Sequence, residues 1–401
     1  MKLLVFAHTP PPHHGQSYMV QLMLAGFGGD VRQKKSGAAN PHGIECYHVN
    51  ARFSRGLSDV GEFQGGKIWL IFWFCLQAIW LRFRYGVENF YYVPAPGKRV
   101  ALYRDWLVMF LCRPFFKKVI LHWHAAGLAK WLETEMIVTY RAATYRLFRP
   151  VDLSLVLSRY NFADAEKLLS HHIRIVHNGI PDPCRDFETV LRPHRLARLL
   201  ERRKIFAGDF SGGLITVKIL FLAHCTREKG LFAALDGVLA ANRELATRKL
   251  PMRLHLTVAG NFVTYDEQAE FAQRQKDPEV AATVQLAGFV SGERKSNLLR
   301  AADLFLFPTR YLGENQPVNL IEAMAHGLPI VTTRWRSLPE MLPPDYPGLV
   351  NGQNADEIAA AILKVLAVKS GELARAHFIA NFTMERHLAN LAEALHGVER
   401  G

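Results

Sequence analysis

Residues 311–342, YLGENQPVNLIEAMAHGLPIVTTRWRSLPEML, narrow most what this chain can fold into. A run three residues upstream of them, 304–307, is apolar and has the length of a buried strand. A polar loop follows and carries Glu314. An apolar helical stretch carries Glu322, and a Gly-Leu-Pro turn leads to a second apolar strand at 330–333. Strand, loop, helix, turn and strand in that order are the unit of a parallel sheet. Where the loop meets the helix, the first amides have no intrahelical acceptor and point outward, a ready site for phosphate. Two carboxylates beside such a site suit a ligand that carries both phosphates and hydroxyls, as a sugar nucleotide does.

The same alternation runs through the whole chain. In the first half strands are expected near 3–7, 45–49, 89–93, 119–122, 153–157 and 174–177, with helices near 17–27, 67–84, 100–112, 131–148 and 161–169. A second series of strands is expected at 217–222, 254–259, 283–286, 304–307 and 330–333. A length of 401 residues allows two or three domains with cores of their own. Residues 183–213 interrupt the pattern; they are rich in Arg, with Pro193, Gly208, Gly212 and Gly213, and read as an interdomain linker with one basic helical piece. The expected boundaries are therefore 1–182, the linker 183–213, a second domain 214–380, and a closing segment 381–401.

Charge is unevenly placed. Residues 1–182 hold 22 Lys and Arg against 12 Asp and Glu, a net +10, whereas residues 214–401 are balanced. A basic first half suits an anionic membrane surface or a lipid pyrophosphate. No base-reading motif occurs, so nucleic acid is not expected as a partner. The five cysteines are scattered without C-x-x-C spacing, which argues against a disulfide framework or a zinc site and for a reducing compartment. The first residues, MKLLVFAHTPPP, are too short for a signal-peptide core and read as a first strand. The run 68–81, IWLIFWFCLQAIWL, is shorter than the ~20 residues of a membrane span. It reads as a helix buried against the sheet. The alternative is a helix in the membrane plane, for which Trp69, Trp73 and Trp80 would suit a headgroup layer.

A second phosphate-type site opens the second half. In ILFLAHCTREKGL, residues 219–231, a strand runs into a loop and a helix begins near Gly230. Arg227 and Lys229 lie in that loop, and two cations beside free amides make a diphosphate site. In the first half, the strand at 119–122 ends in HWHAAGL, with His124 just past its C-terminal end, where parallel sheets bind ligands. The loop HTPPPHHGQSYMV places Gly15 at a helix start, where backbone can approach a phosphate or acceptor closely. His13, Gln16 and Ser17 are candidate acceptor contacts there.

Taken together, these segments resemble the retaining glycosyltransferases of family 4, the group 1 glycosyltransferases. Glu314, seven residues and Glu322, then Gly327 and Pro329, match that family's E-x7-E region. Glu228, Lys229 and Gly230 match its E-K-G, although His224 stands in the family's Arg position and Ala223 in its Gly position. The segments His177–Pro181 and 258–261 match its N-G and A-G segments. The resemblance implies the GT-B fold, an α/β class with two Rossmann-like, doubly wound parallel-sheet domains facing across a cleft. The last helix would cross back to the first domain.

It further implies a metal-independent transferase with no cofactor, taking a nucleotide-sugar donor and a glycan or lipid-linked acceptor. The absence of a D-x-D pair agrees with that expectation. Lys229, with Arg227, would neutralise the diphosphate. Glu322 would hold ribose hydroxyls, and Glu314 with the amides of Gln316, Val318 and Asn319 would hold sugar and phosphate. Pro317 lacks the N–H often available at that point in the family. His124 would contact the donor sugar. Peripheral attachment to the inner face of the cytoplasmic membrane is expected. A GT-B sugar-nucleotide epimerase and a non-catalytic sugar-nucleotide-binding subunit remain as alternative readings.

Overall fold

Strands that are apolar at nearly every position need cover on both faces, and the chain supplies it twice. The computed structural model describes residues 1–11, 15–33, 40–52, 66–210 and 212–400. It divides into two bodies, residues 1–180 with 384–401 and residues 181–383.

The first body contains β1 (Lys2–Phe6), α1 (Gly15–Gly26), β2 (Glu45–Val49), α2 (Gly66–Tyr85), β3 (Asn89–Tyr92), α3 (Arg99–Cys112), β4 (Lys118–Trp123), α4 (Leu128–Glu135), α5 (Val138–Phe148), β5 (Val151–Val156), α6 (Phe162–Lys167) and β6 (Ser170–Ile175). Its six strands are parallel, in the order β2-β1-β3-β4-β5-β6. Side chains alternate across the sheet. Leu4 and Phe6 join one buried layer with α2 and α3, while Leu3 and Val5 join another with α1 and the C-terminal helix, Met384–Arg400. Leu388, Leu391, Leu395 and Val398 form the buried stripe of that last helix.

The helix expected over 131–148 is two helices. Met136 and Ile137 are extended, and α5 starts again at Val138. The β-branched run Ile137-Val138-Thr139 is poorly suited to a helix interior. The helix expected to be buried over 68–81 packs on the sheet along one face only, through Ile71, Cys75, Ala78 and Leu81. Its Trp69, Trp73, Leu76 and Trp80 are exposed. Among the described residues no helix is long and apolar enough to cross a membrane.

The second body contains α7 (Arg192–Phe206), β7 (Ile215–Leu222), α8 (Leu231–Thr247), β8 (Met252–Ala259), α9 (Tyr265–Arg274), α10 (Pro278–Thr283), β9 (Val284–Gly288), α11 (Gly292–Ala301), β10 (Leu304–Phe307), α12 (Val318–Ala325), β11 (Ile330–Thr333), β12 (Leu349–Val350), α13 (Ala355–Ala367) and α14 (Ser370–Asn381). Its sheet is also parallel, in the order β12-β11-β10-β7-β8-β9.

The stretch read as a linker is built into this second body. Arg195 donates to the carbonyls of His326, Ala302 and Leu299 at 2.8, 2.7 and 3.1 Å. Arg198 and Arg202 both grip Asp303. Arginines that look solvated in sequence thus satisfy buried acceptors, and burial lowers the Arg195 pKa to about 10.

Candidate functional site

In the second sheet β7 is flanked by β8, the next strand in sequence, and by β10. Chain order therefore reverses between β7 and β10. The loops leaving these two strands diverge there and open a crevice at their C-terminal ends, the usual ligand site of open α/β sheets. The two loops, 223–230 and 308–317, carry Arg227, Lys229, Glu314 and Gln316, and the second leads into α12 with Val318, Asn319 and Glu322.

Close approach shapes the β7 loop. Gly230 caps α8 with φ +87°, and a Cβ there would lie 2.3 Å from the Pro308 carbonyl oxygen. Gly260, at the end of β8, has φ +157°, and its Cβ would lie 1.8 Å from the Ala223 oxygen. Only glycine fits either place. The β10 loop is pinned from both sides. Arg310 N–H donates to Glu228 O at 2.7 Å, Gln353 Nε2 to Pro308 O at 2.7 Å, and Thr333 Oγ1 to Thr309 O at 2.5 Å. Ser337 Oγ donates to Asn315 O.

Between the loops, Lys229 Nζ meets Glu314 Oε2 at 2.8 Å. Thr309 Oγ1 donates to the same oxygen at 3.0 Å. The ammonium also stands 4.3 Å from the Tyr311 ring centroid, a cation–π contact. Both partners are largely buried, the Lys229 side chain 17% exposed and that of Glu314 7%. The pair is therefore poorly screened by water, and removing one member strands a buried charge.

Glu322 lies about one turn into α12. Its Oε1 accepts from Lys295 Nζ of α11 at 2.5 Å. Burial raises the Glu322 pKa, and Lys295 opposes that rise without cancelling it. A carboxylate held short of full compensation gains from hydroxyl donors arriving at its other oxygen. The His326 Nδ1 lies 2.7 Å from Glu322 O, and burial drops the His326 pKa to about 4. At the α12 N-terminus, the amides of Val318 and Asn319 are the first two of the helix. The Asn319 side chain is spent on structure, donating from Nδ2 to Leu222 O at 2.6 Å. Gln316 is buried beside them.

Arg227 points elsewhere. Its guanidinium pairs with Glu270 and lies 4.8 Å from the Phe232 ring centroid, and its backbone N–H donates to Glu267. His224 stays closer to Lys229, and burial and that lysine together lower its pKa, so it carries little charge near neutral pH. Lys229 is thus the cation that the geometry brings to Glu314, and neither Arg227 nor His224 joins it.

In the first body, His124 follows β4, with its ring centroid 4.2 Å from that of His122. His122 is fully buried, its Nδ1 lies 2.5 Å from Tyr91 Oη, and burial holds its pKa well below the usual value. Gly15 is the first residue of α1 and exposed, Gln16 is half-buried and Ser17 is buried. His13 lies outside the described residues. Lys295, Thr309 and Tyr311 are not among the residues singled out from sequence. Thr309 and Tyr311 could have been found as the first polar positions past β10, whereas nothing local marks Lys295.

Residues 216–368 match a family model described as "Glycosyl transferases group 1". The chain is 28% identical over 160 residues to the amylovoran biosynthesis glycosyltransferase AmsK of Erwinia amylovora, covering 39% of this chain and 37% of that protein. It is 28% identical over 193 residues to a putative colanic acid biosynthesis glycosyltransferase, WcaL, of Escherichia coli K12, covering 45% of each. The chain thus spans less than half the length of these curated relatives. Among solved structures, Anabaena HepE in complex with UDP superposes with a TM-score of 0.61 at 15% identity, over 99% of this chain and 100% of that one. That likeness extends the fold to both bodies, and the architecture is the GT-B type, two Rossmann-like domains with parallel six-stranded sheets.

Proposed function

We propose that the chain is a retaining glycosyltransferase that takes a nucleotide-sugar donor on its second body and transfers the sugar to a glycan or lipid-linked acceptor. The observation that carries this reading is the largely buried Lys229–Glu314 pair between the loops that leave β7 and β10, the second of which leads into α12 and its Glu322. In this reading Lys229 and the amides of Val318 and Asn319 receive the diphosphate. Glu322 accepts from the ribose hydroxyls, and Glu314 accepts from the sugar. The bond from the anomeric carbon to the phosphate oxygen breaks while the acceptor oxygen bonds to that carbon from the same face. The acceptor proton passes to the leaving diphosphate, and Lys229 stabilises the charge that develops there. The resemblance adds a contact from His124 to the donor sugar. No metal or other cofactor is required, because the lysine and helix amides supply the positive potential.

The excess of positive charge over residues 1–182 supports an anionic membrane surface as partner, with the chain peripheral at the inner face of the cytoplasmic membrane. His224 favours one second reading. Uncharged near neutral pH where related enzymes hold an arginine, it suits a subunit that binds nucleotide sugar without turning it over.

One assay separates these readings. The purified chain is incubated with UDP-, GDP- and ADP-sugars and envelope lipid extract in excess EDTA, and nucleotide release and the anomeric configuration of the product are followed. Acceptor-dependent release with retained configuration supports the proposal. Binding without release supports the non-catalytic subunit, and isomerised donor without acceptor supports an epimerase. Loss of turnover in EDTA that magnesium restores contradicts the metal-independent site.

A further inference from the structure

Helix α2 is apolar on two opposite faces. Its inner stripe, Ile71, Cys75, Ala78 and Leu81, lies in the core beneath the sheet. Its outer stripe, Trp69, Trp73, Leu76, Trp80 and Phe83, repeats at steps of four and three, so these side chains line one side of the helix. They are 79%, 58%, 60%, 55% and 67% exposed. Such a run of large apolar side chains on the surface marks an interaction site rather than a scatter of single exposed residues. The patch continues past α2. The Phe83 ring lies 5.9 Å from the ring of Phe115, itself exposed, in the turn that follows α3.

The surroundings of the stripe decide its occupant. From α2 to the start of β4, residues 66–118 contain nine Lys and Arg and two acids, a net +7. One of the acids, Asp105, is buried and bonded to Tyr92, Arg104 and the Ala95 N–H. The other, Glu88, is shared by Arg82 and Lys117. A second copy of this chain would bring one such basic face against another. Indole rings bordered by arginine and lysine suit the boundary between acyl chains and anionic headgroups.

We propose that the outer face of α2 is an interfacial membrane anchor that lies in the plane of an anionic bilayer. Trp69, Trp73 and Trp80 sink to the base of the headgroups, and the basic residues of the 66–118 region contact the lipid phosphates. The inference deepens the membrane attachment proposed above and rests on it, but its test does not depend on transferase activity.

The full chain is mixed with phosphatidylcholine vesicles containing or lacking phosphatidylglycerol, and binding is read by sedimentation. Acyl-brominated lipids report insertion by quenching tryptophan fluorescence. The native chain is expected to bind the anionic vesicles and to be quenched. The W69S/W73S variant, whose altered side chains are exposed and leave the core intact, is expected to lose binding at least about tenfold, since each indole leaves an apolar environment. Nucleotide diphosphate binding and thermal melting by the variant report whether the second body and the fold are unchanged. Binding to anionic vesicles without quenching, or equal binding by the variant, overturns the anchor while leaving electrostatic attachment standing. A concentration-dependent dimer of the native chain that the variant abolishes, with no binding to vesicles, overturns the anchor and the electrostatic attachment alike. Absence of nucleotide binding by a chain that still inserts would sink the donor site and not the anchor.

Discussion

Lys229 and Glu314, 85 positions apart in sequence, form one largely buried ion pair at 2.8 Å, with Thr309 donating to the same carboxylate oxygen. Their chemistry is thereby coupled. On the proposed reading a diphosphate would draw the ammonium away and free Glu314 for the sugar; either residue alone is a buried charge.

Lys229→Met is accordingly expected to abolish turnover and also to destabilise the second body by roughly 2–4 kcal/mol, since an unpaired buried carboxylate remains. Adding Glu314→Gln removes that charge, and the double variant should recover most of the lost stability without recovering activity. Chemical denaturation of the two singles and the double gives the coupling energy. Additive losses would show that the pair contributes nothing to the fold.

Glu322→Gln should raise the donor KM by about tenfold or more with a smaller change in kcat, because hydrogen bonds to a carboxylate contribute about 1.5–3 kcal/mol each. Burial keeps the Glu322 pKa above its usual value of 4.5, so donor affinity in the native chain should fall as pH drops through that raised value. The variant should lack this component. Donor titrations at several pH values compare the two, and parallel profiles would remove Glu322 from the ribose.

Stability should depend on pH through two buried histidines, one in each body. The His326 and His387 pKa values are lowered from 6.5 to about 4 by burial. Between these values the unfolded chain binds the proton and the folded chain does not. Their contribution is therefore complete above about pH 6.5 and is lost as pH falls toward 4, up to roughly 3 kcal/mol each. His387 Nδ1 lies 2.6 Å from His177 O, a bond that an asparagine amide can replace. Melts between pH 7.5 and 4.5 should show a shallower loss for His387→Asn than for the native chain, and equal slopes would contradict the assignment.

Gly260→Ala should unfold the second body or cost about 3 kcal/mol or more. The new methyl would meet the Ala223 carbonyl oxygen at 1.8 Å, between two strands that cannot separate cheaply. Thermal melting reads this directly, and a native-like midpoint would show that the strand ends yield.

Much of this was legible in the sequence because the parallel strands are short, apolar on both faces and bracketed by glycine and proline. The strands Leu304–Phe307 and Ile330–Thr333 fall on the expected residues for that reason. Strand β6 begins earlier than expected because Ser170, His171 and His172 are polar, as an edge strand permits. The roles of arginines were the least legible. Arg195 and Arg202 resemble solvated linker charge in sequence yet bind buried carbonyls and Asp303, and Arg227 is drawn to Glu270, 43 positions away. Lys295 became visible only once α11 was placed beside α12. A flexible cation declares its partner through tertiary packing and not through spacing.

The central claim is a nucleoside diphosphate site between the β7 and β10 loops, and calorimetric titration tests it most directly. UDP, GDP and ADP are titrated into the native chain, into Glu322→Gln, and into the Lys229→Met/Glu314→Gln double variant. The account predicts that one of the three nucleotides binds the native chain in excess EDTA and that each variant binds it at least about tenfold more weakly, from the loss of one charged hydrogen bond. Binding of equal strength to all three proteins, or to none, would contradict it.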